Sequence, residues 1–381
     1  MGRVRGYYSD LWPVGRALGA NGGHAIIGPD FAREEKPVPM TTHDMTPSAW
    51  DDFVAHHPRA HLLQTHAWGQ LKAAFGWKPL PVAIRDGEGR ITAGVQLLLR
   101  RLPLRLGWLA YAPYGPLVDW GDTAQVTQLQ AAIDRAARGA GAAFLKIEPG
   151  FGLDGADFAR FGYRPSPQTV QPPRTIVLDI TGSEDDILAR MNQGTRRNIR
   201  KSEKHEVAIR HGTRADVSRF NALLAETGNR AEFGVHAPEY YERAYDLFAP
   251  QGRAALILGS YGEQDLAGVM VFALGARAWY FYGASSDRER HRMASYGVQW
   301  AGIQWARAQG ARTYDMYGVP DADPDVLEAH FAERSDGLWG VYRFKRGWGG
   351  QVIRSAGAWD RVYNRLVYAA YRLAAGRLGR E

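Results

Sequence analysis

Apolar and polar positions follow two alternating rhythms along this 381-residue chain, and the order of those rhythms occurs twice. Residues 79–101 (PLPVAIRDGEGRITAGVQLLLRR) read as an apolar strand, a Gly-containing polar turn and a second apolar strand. An aromatic strand follows in LGWLAYAPYGPLVD, residues 106–119. Residues 254–275 (AALILGSYGEQDLAGVMVFALG) and 276–287 (ARAWYFYGASSD) repeat that order. Both copies pass through one tripeptide, Ala93-Gly94-Val95 and Ala267-Gly268-Val269. The period then changes to that of a helix. Val126, Leu129, Ile133 and Ala137 predict a helix within 123–149 that stops at Gly139 and Gly141 and enters the strand AFLKIEP. Val298, Gly302, Ile303 and Ala306 predict its counterpart within 295–318, which stops at Gly310 before the strand ARTYDMYG.

Helical sequence precedes each strand set. In the first half it covers 46–58 and 65–76, with Thr65 as N-cap. In the second half it covers 183–205, 213–231 and 238–250. The plan is α+β with two similar halves, and copies so far apart indicate a duplicated domain, not a solenoid. The stretch 163–179, with four prolines, is the expected junction.

Composition narrows the picture. A hydrophobic content of 45% with 23% charged residues supplies two cores and excludes a disordered chain. With no cysteine, disulfides, thiol catalysis and Cys-ligated metals are excluded. No stretch reaches the ~20 apolar residues of a membrane span. Residues 1–40, rich in Gly, Pro and charge, predict a poorly ordered leader and no secretory signal, with Met40 as an alternative start. A cytoplasmic location follows by default. His56 and His57 have no spaced partner, and no Walker or Rossmann fingerprint is present.

The net charge of +7 favours phosphate-bearing or anionic partners. Arg196, Arg197, Arg200, Lys201 and Lys204 fall at helical spacing and form a strip able to neutralise several phosphates, unless Glu203 and Glu206 offset it. A predicted C-terminal helix over 359–381 aligns Arg361, Arg365 and Arg372. Opposite them, Val362, Leu366, Ala370 and Leu373 face a core or a bilayer.

Six motifs in order are LLQTHAWGQLKAAFGW, LAYAPYGPLVD, TRRNIRKSEKHEVAI, WYFYGASS, YDMYGV and GVYRFKRGWGGQVIRSAGAWD. As a set, spanning residues 45–365, they resemble the FemABX family of non-ribosomal aminoacyltransferases. The resemblance implies two fused acetyltransferase-like (GNAT-like) domains: a precursor-binding first domain of 41–168 completed by 354–381, and a second, tRNA-side domain of 169–353. No charged heptad run matches the coiled-coil arm of staphylococcal members, so the compact type is expected. The implied reaction moves Gly, Ala or Ser from aminoacyl-tRNA to an amine of a peptidoglycan precursor, building the interpeptide bridge of the cell wall. The implied partners are aminoacyl-tRNA and a UDP-linked or lipid-linked precursor. The expected protein is a monomer without a cofactor, in the cytoplasm or peripheral at the inner membrane face.

The same resemblance assigns residues. Phe344-Lys345 matches the pair whose lysine lies by the reacting carbonyl. The segment reads here as an apolar strand, where an ammonium is costly unless it meets an anion. A developing oxyanion or the tRNA terminal phosphate would serve. Lys72 matches a position that meets the precursor diphosphate, Tyr111 and Tyr282 match aromatic positions of the same groove, and Tyr241 keeps the tyrosine of the family's Arg–Tyr pair spaced four residues apart. Gln64 and Trp68 are expected to shape the helix. The family pattern has an arginine where Ala237 stands here, with Arg230 or Arg243 as substitutes. Asp119 and Asp315, at strand ends, are candidate proton acceptors. Ester aminolysis needs no activated Ser or Cys, only aligned substrates and a stabilised oxyanion.

Two rivals remain at this point. An acyl-CoA-dependent N-acyltransferase would use Arg292-x-x-Ser295-x-Gly297, a degraded pyrophosphate loop. A non-catalytic tRNA-binding protein would account for the basic strip but not for the Phe-Lys segment or the duplication.

Overall fold

The structure, a computed structural model, describes residues 45–153, 155–231 and 234–378. The expected leader, 1–40, lies outside them. The first half opens with α1 (Pro47–His56) and α2 (His66–Ala73), whose first turns are capped by the hydroxyls of Thr46 and Thr65. Strands β1 (Lys78–Arg85), β2 (Ile91–Arg101) and β3 (Trp108–Pro113) are antiparallel. Helix α3 (Thr123–Gly139) then crosses to β4 (Ala142–Glu148), which runs parallel to β3.

The junction carries β5 (Arg164–Pro165) and enters the second sheet as β6 (Arg174–Asp179). Next come α4 (Glu184–Arg190), α5 (Gln193–Lys204), β7 (Ala208–His211), α6 (Val217–Ala231) and α7 (Pro238–Phe248). The predicted helix over 183–205 is thus two helices. Met191 is extended, and the Asn192 side chain accepts from Thr195 N–H to start α5 afresh. The repeat follows: antiparallel β8 (Ala254–Tyr261), β9 (Gln264–Leu274) and β10 (Arg277–Ser285), then α8 (Ala294–Ala308), then β11 (Thr313–Asp315) parallel to β10. The chain closes with α9 (Pro324–His330), α10 (Trp339–Lys345), β12 (Gln351–Arg354), β13 (Trp359–Val362) and α11 (Arg365–Leu378).

Two mixed sheets result, in the orders β1-β2-β3-β4-β13-β5 and β12-β6-β11-β10-β9-β8-β7. Each half thus follows one plan, three antiparallel strands, a helix and a parallel strand. The chain leaves the second sheet after β12 and returns to the first as β13, where Arg361 donates through Nε and Nη2 to both carboxylate oxygens of Asp134 on α3. The shared tripeptide has a packing reason. A side chain at Gly94 would strike the Trp50 ring of α1, and one at Gly268 would strike the Phe220 ring of α6. Each glycine lets a helix-borne aromatic lie flat on the hairpin. One core cluster joins the halves, with Trp50, Leu63, Trp68 and Tyr111 from the first and Phe220, Tyr240, Phe248 and Trp279 from the second.

Two expectations are corrected here. Phe344-Lys345 lies on a helix, not a strand, because Trp339, Tyr342 and Lys345 recur at three-residue spacing and all turn inward. The C-terminal helix begins at Arg365, since 359–362 pair with β4. Arg361 therefore belongs to a sheet ion pair, and Leu366 and Leu373 face outward, 85% and 69% exposed. Among the described residues the longest helix has 17 residues, and none is long and apolar enough to cross a membrane.

Candidate functional site

Helix α2 presents Lys72 and Trp68 to a narrow cavity of about 80 Å³ under the first sheet. Tyr111, Arg100, Gln171 and Tyr371 line it too. Its volume suits a small charged group and not a whole precursor. Lys72 Nζ lies 3.1 Å from Tyr240 Oη and 5.1 Å from the Trp68 ring centre. Burial, reinforced by Arg100, pulls its ammonium down to about 7. The buried Trp68 indole N–H has no acceptor among the described residues. Trp68 was expected only to shape the helix; it is part of the cavity wall. Gln64 behaves as expected, bonding Pro113 and Gln96 within the fold.

Tyr240 extends the site towards the second half. Its hydroxyl lies 3.4 Å from that of Tyr282, and its ring stacks on His236 at 3.9 Å. Burial, then Lys72, pushes the His236 imidazole down to about 3, so it is neutral at ordinary pH. Tyr241 sits beside Tyr282 and accepts from the His236 backbone N–H, 3.1 Å. Ala237 is the N-cap residue before α7, Arg243 is exposed on that helix, and the Arg230 side chain lies outside the described residues.

A line of hydrogen bonds crosses from one sheet to the other. Tyr111 donates to Glu148, and Gln171 Nε2 donates to Tyr111 Oη at 2.8 Å. Gln171 Oε1 accepts from Tyr317. The Tyr317 backbone is left-handed, φ 60°, which is rare for an aromatic residue. That conformation gives its N–H to Asp315, 2.7 Å, and its carbonyl to Lys345 Nζ, 3.0 Å. Lys345 also donates to the Gly318 carbonyl at 2.7 Å. Burial lowers the Lys345 ammonium to about 7 against the opposing charge of Asp315. Burial lifts the Asp315 carboxyl to about 6 despite hydrogen bonds from Thr175 and Tyr317 and the charges of Lys345 and Arg277. Two groups thus change charge near neutral pH in one buried network.

The neighbouring Phe344 faces the other way, into a larger cavity of about 480 Å³. Arg288, Arg290 and Arg343 line it with the first turn of α8, which has no side-chain cap. Phe344 packs on Tyr296 and Trp348 at ring distances of 5.1 and 5.7 Å. Trp348 belongs to the turn that packs on α5, so the basic strip flanks this cavity. Among its members Arg197, Arg200 and Lys204 are exposed and Lys201 is half-buried, and none of the four joins an ion pair among the described residues. Arg196 differs: it donates to the carbonyls of Leu188 and Met191 and holds the α4–α5 corner.

Asp119 is not brought to either cavity. It is exposed, and its carboxylate accepts from Gly121 N–H at 2.9 Å to cap a turn. Sequence reasoning missed Tyr240, Gln171, Tyr317, Glu148 and His236. Gln171 and Tyr317 lie in PPR- and YGV-type loops without periodicity, and Tyr240 stood next to the tyrosine that was chosen.

The FemAB family model matches residues 45–160, 153–261 and 252–375. A lipid II:glycine glycyltransferase of Staphylococcus haemolyticus is 25% identical over 415 residues, covering 89% of this chain and 97% of that protein. The protein of the same name from Staphylococcus aureus strain USA300 is 24% identical over 418 residues, with the same coverage. The crystal structure of FemX superposes with a TM-score of 0.78 at 22% identity, covering 87% of this chain and 99% of that one.

Proposed function

The chain belongs to the FemAB family, and on that premise we propose that it transfers an amino acid from aminoacyl-tRNA to a stem-peptide amine of a lipid-linked peptidoglycan precursor. That the Staphylococcus relatives are lipid II:glycine glycyltransferases supports the lipid-linked acceptor. The small cavity receives the precursor's diphosphate, whose charge restores the Lys72 ammonium and engages Arg100. The tyrosines at 240, 241 and 282 line the path from there to the second half. The tRNA acceptor end lies against Phe344 in the larger cavity and its aminoacyl ester reaches the Lys345 side of α10, while Arg197, Arg200, Lys201 and Lys204 hold tRNA phosphates.

The acceptor amine then attacks the aminoacyl carbonyl carbon. The new C–N bond forms, the C–O bond to the ribose breaks, and the ribose oxygen takes a proton. Lys345 turns its ammonium from two backbone carbonyls to the developing oxyanion. Asp315, lifted to about 6 by burial, accepts the proton that the amine sheds. The observation that carries this reading is the line Tyr111–Gln171–Tyr317–Lys345, which runs from the cation-lined cavity of the first half to the buried Lys345–Asp315 pair of the second.

The test offers radiolabelled glycyl-, alanyl- and seryl-tRNA with UDP-linked and lipid-linked precursor. Transfer to the lipid-linked form is expected, with a loss of about 10²–10³-fold in Lys345→Ala. A second reading, acyl-CoA-dependent transfer, draws on the uncapped first turn of α8 at the larger cavity. Arg292, however, is occupied by Glu289, the His205 carbonyl and the Tyr261 ring. Tight acetyl-CoA binding by calorimetry, with no transfer from any aminoacyl-tRNA, would reverse the order of the two.

A further inference from the structure

Seven large hydrophobic side chains are exposed among the described residues, and four of them gather at one place. Leu104 (89% exposed) and Leu106 (43%) occupy the β2–β3 turn; Leu366 (85%) and Leu373 (69%) lie on α11. The two segments share one buried cluster, in which Leu102 at the base of the turn and Tyr368 of α11 are joined through Phe144 and Ala143 of β4. They meet at the mouth of the small cavity, where Arg101, Leu102 and Tyr371 form the wall.

The geometry of α11 gives it two apolar faces. At about 100° per residue, Tyr368 and Ala375 point together into the body, and Leu366 and Leu373 point together in the opposite direction. Single exposed leucines are ordinary, but two on the outer face of one helix with two more on the adjoining turn are an apolar patch of the kind that marks an interaction surface. The turn is equally unusual. Leu104 and Arg105 both hold left-handed backbone, φ 51° and 58°, at a tip where small residues are favoured.

Charge identifies the occupant. Arg101, Arg105, Arg365 and Arg372 are exposed among these leucines, and residues 97–109 and 361–378 contain no acidic residue. Asp360, the nearest acid in sequence, is buried against Lys146 at 3.0 Å. Leucines at the centre with arginines beside them match a bilayer surface bearing anionic headgroups. A helix of 14 residues is too short to span the membrane but long enough to lie in its interface.

We propose that the β2–β3 turn and the outer face of α11 form a docking surface for an anionic lipid bilayer, seating the mouth of the small cavity at the headgroup plane. The inference deepens the lipid-linked acceptor reading and rests on it for its purpose. A precursor anchored in the bilayer then presents its diphosphate to Lys72 without leaving the membrane.

The test is flotation of the full chain with phosphatidylglycerol/phosphatidylcholine vesicles and with phosphatidylcholine alone, no substrate present. Binding to the anionic vesicles is expected, weaker by about tenfold or more on neutral vesicles or at high salt. Leu104→Ser with Leu106→Ser, and Leu366→Ser with Leu373→Ser, should each lower binding about tenfold, since each removes two inserting side chains. All four side chains are exposed, so the urea midpoint should not move. No vesicle binding, binding by both double variants equal to that of wild type, or a change in solution mass caused by either (the mark of a second protein copy on this face) would overturn the proposal. Transfer to a water-soluble precursor, run without vesicles, separates the two readings. Retained transfer without vesicle binding refutes the docking alone; vesicle binding lost in both variants supports it even if transfer is never detected.

Discussion

Replacing Lys345 with Met keeps the volume of the side chain and removes its charge, so stability should change with pH in a calculable way. In the folded protein burial holds this ammonium at about 7, whereas an unfolded lysine titrates near 10.5. Between those values the unfolded chain carries one more proton than the folded one, so wild-type stability rises with pH in this window. From pH 7 to pH 9 the gain from this one group is about 2 kcal/mol. Lys72 shifts in the same direction, but it is present in both proteins and cancels in the difference. Asp315 titrates at about 6, below the window. Urea denaturation of wild type and Lys345→Met at pH 7, 8 and 9 reads the effect. The variant should lose about 2 kcal/mol relative to wild type across that range. A difference that stays flat within ~0.5 kcal/mol would mean that Lys345 is solvated or already neutralised, and the buried-cation argument would fail.

Other consequences follow from the same contacts. Tyr317→Phe removes the hydroxyl that bonds Gln171 but keeps the backbone; it should cost about 1 kcal/mol of stability and slow single-turnover transfer more than it weakens either substrate. Lys72→Met should raise KM for the precursor about tenfold or more with a smaller change in kcat, since a charge-assisted contact to phosphate is made in ground and transition state alike. Arg197→Gln with Lys204→Gln should weaken tRNA binding in a filter assay and lower the slope of log affinity against log salt by about 1 per lost contact. Arg196→Gln should instead lower the unfolding midpoint, because its guanidinium holds backbone carbonyls.

The duplicated plan was legible because strand and helix periods are written in side-chain polarity, and the sheets formed where those periods lay. The reason for Gly94 and Gly268 was not, since it lies in Trp50 and Phe220, which approach from distant helices. At 339–345 the aromatic spacing fits strand and helix alike, and packing of Trp339 and Tyr342 into the second core decided for the helix. Leu366 and Leu373 follow Arg365 and Arg372 directly and lie beside them on the helix, not opposite; that they point outward, away from the core, depends on β13 occupying residues 359–362. Lys72 and Lys345 stand out through motifs and Asp315 as a strand-end carboxylate, but Gln171, which ties Tyr111 to Tyr317, comes from a proline-rich junction where no residue pattern signals a site.

The most direct measurement is single-turnover transfer in a preformed complex of the protein, aminoacyl-tRNA and lipid-linked precursor, followed by quench-flow. Wild type should form peptide product, and Lys345→Met should form it at least about 10²-fold more slowly while both substrates bind with unchanged affinity. Equal rates in the two proteins would place the lysine outside the chemistry and contradict the account.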